Sequence, residues 1–227
     1  MKYKYPCLLV AFMLCFVTNS FSQISSYAIR NSFTAFGGIT KFDITTDNFI
    51  TSQGNGFLGG LSATVDLPHR WYNMSFGMQL SENNIGVSVR PTMASVSEEF
   101  VDYKIFAAQV ALMGHIKLIG TYLMIDVGPM VQYNGKLELK NKAEEAYYIN
   151  NFDNLTAKDI TNISQFNING AIGASAGIKF IKLKAQYIYG FTNILKKLNT
   201  QDLDTAGNDK SFKGNQSMLV FGALLSF

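Results

Sequence analysis

The chain predicts an all-β fold: an eight-stranded antiparallel up-and-down transmembrane β-barrel with short periplasmic turns and long extracellular loops. Three observations predict it. Apolar and polar residues alternate with period two through eight segments, which is the pattern of strands and not of helices. The connections between those segments alternate between short and long. The two faces also differ in kind. One is large and apolar with Tyr and Phe near its ends; the other is small, polar and rich in Gly, Ala and Ser. Charged residues make up only 15% of the chain, against about 25% in soluble domains, so an apolar outer surface is expected.

The first 22 residues read as a secretory signal. Lys2 and Lys4 give a positive start, and the apolar run over 7–17 follows. At about 11 residues the run is too short to span a bilayer, which takes about 20. Small residues at Ser20 and Ser22 place cleavage after Ser22. The expected organisation is therefore a signal peptide over 1–22 and a barrel domain over 23–227. Cys7 and Cys15 both fall in the signal, so the exported chain has no disulfide framework, thiolate nucleophile or cysteine-based metal site. Without Lys2 and Lys4 the formal charge falls from +3 to about +1, which gives no footprint for nucleic acid.

The strands follow in order. The first, around 33–44, alternates least clearly. The second sets Phe57, Leu61, Ala63 and Val65 against Gly60, Ser62, Thr64 and Asp66. The third sets Met74, Phe76, Met78 and Leu80 against Asn73, Ser75, Gly77 and Gln79. In the fourth, Val110, Leu112 and Ile116 alternate with Gln109, Ala111, Met113, His115 and Lys117. The fifth, within 121–140, sets Leu123, Ile125, Val127, Val131 and Tyr133 against Met124, Asp126, Gln132, Asn134 and Lys136. The sixth (166–180) and seventh (183–191) repeat the pattern, with Lys179 and Lys184 on their polar faces. The last places Leu219, Phe221, Ala223, Leu225 and Phe227 on one face. Strands of about 10–15 residues reach the 9–11 that a tilted span requires.

Short turns are expected at 67–70, 118–121 and 180–183, and long polar loops near 43–56, 82–101, 141–163 and 195–214. With two-residue hairpin loops, Thr64 meets Asn73, Lys117 meets Tyr122, His115 meets Met124, and Lys179 meets Lys184. Polar faces then meet polar faces, as a correct register demands. The polar face holds small residues, which suit a crowded lumen, so the apolar face is the one turned to lipid.

The stretches "GFLGGLSATVDLP", "IDVGPMVQYNGKLELK" and "AQYIYGFTNIL" carry a family resemblance. The chain resembles the small outer-membrane β-barrels of Bacteroidetes, the PorT-like group. The resemblance implies an eight-stranded barrel in the outer membrane of a Gram-negative bacterium, with no catalytic residues to carry over. Phe227, after alternating apolar residues, resembles the terminal aromatic read by the barrel-assembly machinery. The partners expected are outer-membrane lipid, that machinery, and an unknown protein or ligand at the extracellular loops.

Few residues are candidates for chemistry. The expected lumen holds a polar network of Asp66, His115, Lys117, Asp126, Lys179 and Lys184, with Glu138 as a further partner for the lysines. Buried polar groups of this kind must pair, so the network is expected to be structural. A His115–Asp126 pair with Ser62, Ser75 or Ser175 is the alternative, a nucleophilic triad. His69 reads as a solvated turn residue. "DLDTAGNDK" looks like a calcium loop but lacks the closing acid, and "AEEAYY" reads as a short helix over the barrel mouth. No cofactor or metal is expected. The expected function is non-enzymatic: a structural or interaction role through the surface loops, with a lumen too narrow for a general porin. The alternatives are a lumen enzyme, a soluble lipocalin-like barrel and an accessory factor in protein secretion.

Overall fold

The computed structural model describes residues 29–95, 98–205 and 211–227. The expected signal peptide lies outside them, as does the 206–210 part of the calcium-like stretch. The strands are β1 (Arg30–Thr46), β2 (Thr51–Asp66), β3 (Tyr72–Arg90), β4 (Glu99–Ile119), β5 (Leu123–Asn134), β6 (Glu138–Leu139), β7 (Tyr148–Ile149), β8 (Phe166–Gly177), β9 (Ile181–Gly190) and β10 (Gly214–Ser226). Eight of them close an antiparallel ring in the order β1-β2-β3-β4-β5-β8-β9-β10, with β10 pairing back onto β1. The short β6 and β7 sit in the β5–β8 connection and pair with the ends of β4 and β3. Among the described residues the helical pieces are 3-10 turns at Lys142–Glu144, Asp159–Thr161 and Lys196–Thr200.

The outer wall is apolar. Ile39, Leu61, Phe76, Leu112, Ile172 and Phe221 all point outward and are exposed. Aromatic residues rim this belt at both ends. Trp71, Tyr122 and Phe180 mark the end with the short turns, and Trp71 packs edge-on against Tyr72 at 5.1 Å. Phe57, Phe106, Tyr133, Phe166 and Phe191 mark the loop end, where Tyr133 meets Phe166 at 5.2 Å.

Beyond the upper rim the strands continue and their polarity inverts. On β3 the inward run Asn73, Ser75, Gln79, Ser81, Asn83 gives way to Ile85, Val87 and Val89, all buried, while the outward Leu80 gives way to Glu82. On β4 the inward Gln109 gives way to Ile105, Tyr103 and Val101, and the outward Phe106 to Lys104. Lys104 and Glu82 pair at 2.8 Å on this outer face. The upper storey is thus built like a soluble barrel, apolar inside and polar outside. The β5–β8 and β9–β10 connections close over it and contribute Phe152, Leu155, Ile160, Leu195 and Phe212 to its core. The Tyr103 phenol donates to the Ala157 carbonyl at 2.8 Å within this core, where burial raises its pKa above the ordinary tyrosine value.

This inversion corrects the expected loop near 43–56, which is mostly strand with a connection of only 47–50. In 82–101, β3 runs on to Arg90 and β4 starts at Glu99, which makes a tall hairpin of a stretch whose form the sequence leaves open. The expected short helix at the mouth is the 3-10 turn at Lys142–Glu144. The registers are corrected as well. Thr64 pairs with Ser75, Lys117 with Met124 and His115 with Asp126. Lys184 pairs with Ser175, while Lys179 leaves the sheet for the turn. The turns at 67–71, 120–122 and 178–180 explain the shifts. Each shift is an even number of residues, so every side chain keeps its face.

Candidate functional site

Two layers occupy the lumen below the upper core. The upper layer consists of amides. Gln132 is its hub: it bonds Gln109 and Asn134, exchanges two bonds of 2.7 Å with Gln216, and accepts from Asn169 at 2.7 Å. Gln79 in turn donates to Gln109, and Thr40 to Asn83. These groups come from strands around the ring and seal the barrel with hydrogen bonds in place of open water.

The lower layer is open. A cavity of about 900 Å³ lies between the amides and the turn end. Gln79, Met130 and Gln186 form its floor, and Asn31, Thr121, Tyr122 and Lys179 stand at its mouth. Small inward residues leave the space free, among them Ser62, Thr64, Gly77, Ala111 and Ser175.

Three adjacent strands bring polar groups together on its wall. His115 on β4 stands directly across from Asp126 on β5, and Ser75 on β3 lies one diagonal step away. The His115 Nδ1 is 2.7 Å from Asp126 Oδ1, and its Nε2 is 2.7 Å from Ser75 Oγ. Ser175 Oγ also donates to Asp126 Oδ1, at 3.3 Å. Ser75 and Asp126 are buried, and His115 is nearly so. In the neutral ring a carboxylate on Nδ1 places the proton there, which leaves Nε2 as the acceptor for the Ser75 hydroxyl.

The other expected lumen residues divide. Lys117 reaches Asp66 at 2.9 Å and the Leu67 carbonyl at 3.0 Å, closing the cavity wall near the mouth. Lys184 lines the cavity with its Nζ 5.8 Å from the Phe36 ring centroid. Lys179 is exposed in the turn, 5.5 Å over Phe180, so the expected Lys179–Lys184 contact is not formed. Glu138 is exposed in β6 at the loop end, far along the strands from the lysines it was expected to meet. His69 lies in the 67–71 turn and is exposed. Phe227 is 80% exposed at the turn end, where its backbone exchanges bonds with Phe33 at 2.8 and 3.2 Å. Ser62 lines the cavity away from the His115 pair, so the register selects Ser75 among the candidate serines.

Sequence reasoning missed Lys182, Gln186 and the amide layer. Lys182 lines the cavity beside Lys184. Gln186 Nε2 and Asp126 Oδ2 are buried without a hydrogen-bond partner. The inward Gln and Asn residues were visible one strand at a time, but only the register sets them at one height.

No protein-family model matches the chain, and no curated protein matches it. Among solved structures it is similar to Neisserial surface protein A (NspA), at 12% identity over 86% of this chain and 97% of that one, with a TM-score of 0.50. It is also similar to Ail, the attachment invasion locus protein of Yersinia pestis, at 13% identity over 87% of this chain and 99% of that one, with a TM-score of 0.41. At this identity the likeness to NspA is one of fold, and the fold is the eight-stranded antiparallel β-barrel.

Proposed function

We propose that the chain is an integral protein of a Gram-negative outer membrane, with its loop end outside the cell and its turn end in the periplasm. The closed ring with an apolar, aromatic-rimmed outer belt carries this reading. A wall of that composition is stable against lipid and unstable against water. The soluble lipocalin-like alternative needs the opposite arrangement, with the apolar face inside along the whole barrel. Lipid surrounds the belt. The folded cap is the surface through which the protein meets partners outside the cell.

Cell fractionation followed by gel mobility with and without boiling tests this. The expected result is recovery with outer membranes and a compact form that migrates faster until heated. Recovery in the soluble fraction without detergent overturns the reading.

A further inference from the structure

We propose that Ser75, His115 and Asp126 form a nucleophilic relay that hydrolyses acyl esters admitted to the turn-end cavity, with Lys182 and its lysine neighbours holding an anionic group on the substrate. The geometry is that of acyl transfer: a hydroxyl on the accepting nitrogen of an imidazole whose other nitrogen is fixed by a buried carboxylate.

A structural network would account for the bonds but not for the space. Small eight-stranded barrels fill their lumen with side chains. Here about 900 Å³ is left beside Ser75, within the size range of small-molecule sites. Asp126 Oδ2 and Gln186 Nε2 are buried without partners, and both residues line the cavity.

The walls state the substrate class. Phe36, Met113, Met124 and Met130 offer apolar surface for an acyl chain. Lys117 is neutralised by Asp66, but among the described residues neither Lys182 nor Lys184 has a carboxylate within ion-pair distance. Asp126 is the one other side-chain carboxylate of the lining, against Lys179, Lys182 and Lys184, so the cavity carries excess positive charge and suits an acyl ester with a carboxylate or phosphate.

The reaction balances without a cofactor. Ser75 Oγ attacks the ester carbonyl as its proton passes to His115 Nε2. The tetrahedral intermediate collapses, the carbon–oxygen bond to the alcohol breaks, and the leaving alkoxide takes that proton. Water from the open turn end attacks the acyl-serine with His115 as base, releasing the acid and restoring Ser75. The strand N–H groups are committed to the ladder, so a side chain of the lining must meet the oxyanion, a role we assign to the amide of Gln186 once its side chain turns toward the cavity.

The test uses the full-length protein folded in detergent micelles, each variant first checked for the heat-induced mobility shift. A fluorophosphonate should label one residue, Ser75, as read by peptide mass. Label should be lost in Ser75→Ala and His115→Ala and kept in Ser81→Ala, which lies on the same strand face in the amide layer. Hydrolysis of mono(4-nitrophenyl) suberate should fall by about 10³-fold or more in Ser75→Ala. Lys182→Gln should raise KM for that anionic ester about tenfold with kcat kept. Folded protein that takes no label and hydrolyses no faster than Ser75→Ala overturns the relay. Labelling at Ser75 with an unchanged KM in Lys182→Gln overturns the anionic substrate. A soluble, shift-free protein that still labels would overturn the membrane reading and leave the relay standing.

Discussion

Gln132 and Lys117 both bond across the lumen, yet their removal should have unequal consequences. Gln132 is 2% exposed and bonds residues from neighbouring strands and from across the barrel. Gln132→Leu keeps the volume but leaves the amides of Gln109, Asn169 and Gln216 short of partners in a dry layer. The expected loss is about 2–4 kcal/mol, seen as a lower temperature for the mobility shift. Lys117→Met breaks the pair with Asp66, which sits near the mouth with its side chain 25% exposed, so water can replace the lysine. The expected loss is about 1 kcal/mol or less. The order of the two shift temperatures is the check. Equal values would mean that the amide layer does not contribute cooperatively.

At the scale of the element, the seam between β1 and β10 decides whether the sheet becomes a barrel. Gly38 and Gly222 face each other there, both inward. A Cβ on Gly38 would lie 2.5 Å from the Phe221 carbonyl oxygen, and one on Gly222 would lie 2.4 Å from that of Gly37. Backbone cannot yield without opening the ladder. The adjacent Gly37 points outward, and its Cβ would meet only the Leu58 carbonyl oxygen, at 3.9 Å. Gly38→Ala should therefore reduce or abolish the compact gel form, while Gly37→Ala should fold like the parent. A matching pair of results would assign the seam to something other than this close approach. The turns show the same economy of position: Gly120 adopts a φ of +52° between β4 and β5, a conformation that other residues resist.

The whole molecule is two barrels stacked on one ring of strands. The lower one turns apolar side chains outward and keeps an open polar cavity. The upper one encloses an apolar core under the β5–β8 and β9–β10 connections. Trp71, the single tryptophan, reports on the lower boundary. It is exposed in the rim at the turn end, so brominated lipids should quench its fluorescence in reconstituted vesicles. Unquenched emission would place the belt elsewhere. Replacing 138–163 by a short linker removes Ile149, Phe152, Leu155, Ile160 and Ile163 from the upper core. Val87, Val101 and Ile105 would then face water, and the expected result is dye binding to exposed apolar surface and a lower shift temperature. A variant as heat-stable as the parent would show that the cap is independent of the barrel.

By itself the sequence determined the lower barrel. Period-two alternation settles strand identity and face, because a side chain's side of the sheet depends only on the parity of its position. Hence His115, Asp126, Ser75 and Lys117 were legible as lumen residues. The upper storey was not legible, because its polarity inverts: Asp43 and Glu82 on the outer face fell in stretches read as loop. Tertiary structure decided what parity cannot. Turn length sets the register, and register decides that His115 stands across from Asp126 and not Met124, that Ser75 and not Ser62 reaches the imidazole, and that Lys179 leaves the lumen. The cavity, too, exists only once small residues from separate strands are brought to one height by closure of the ring.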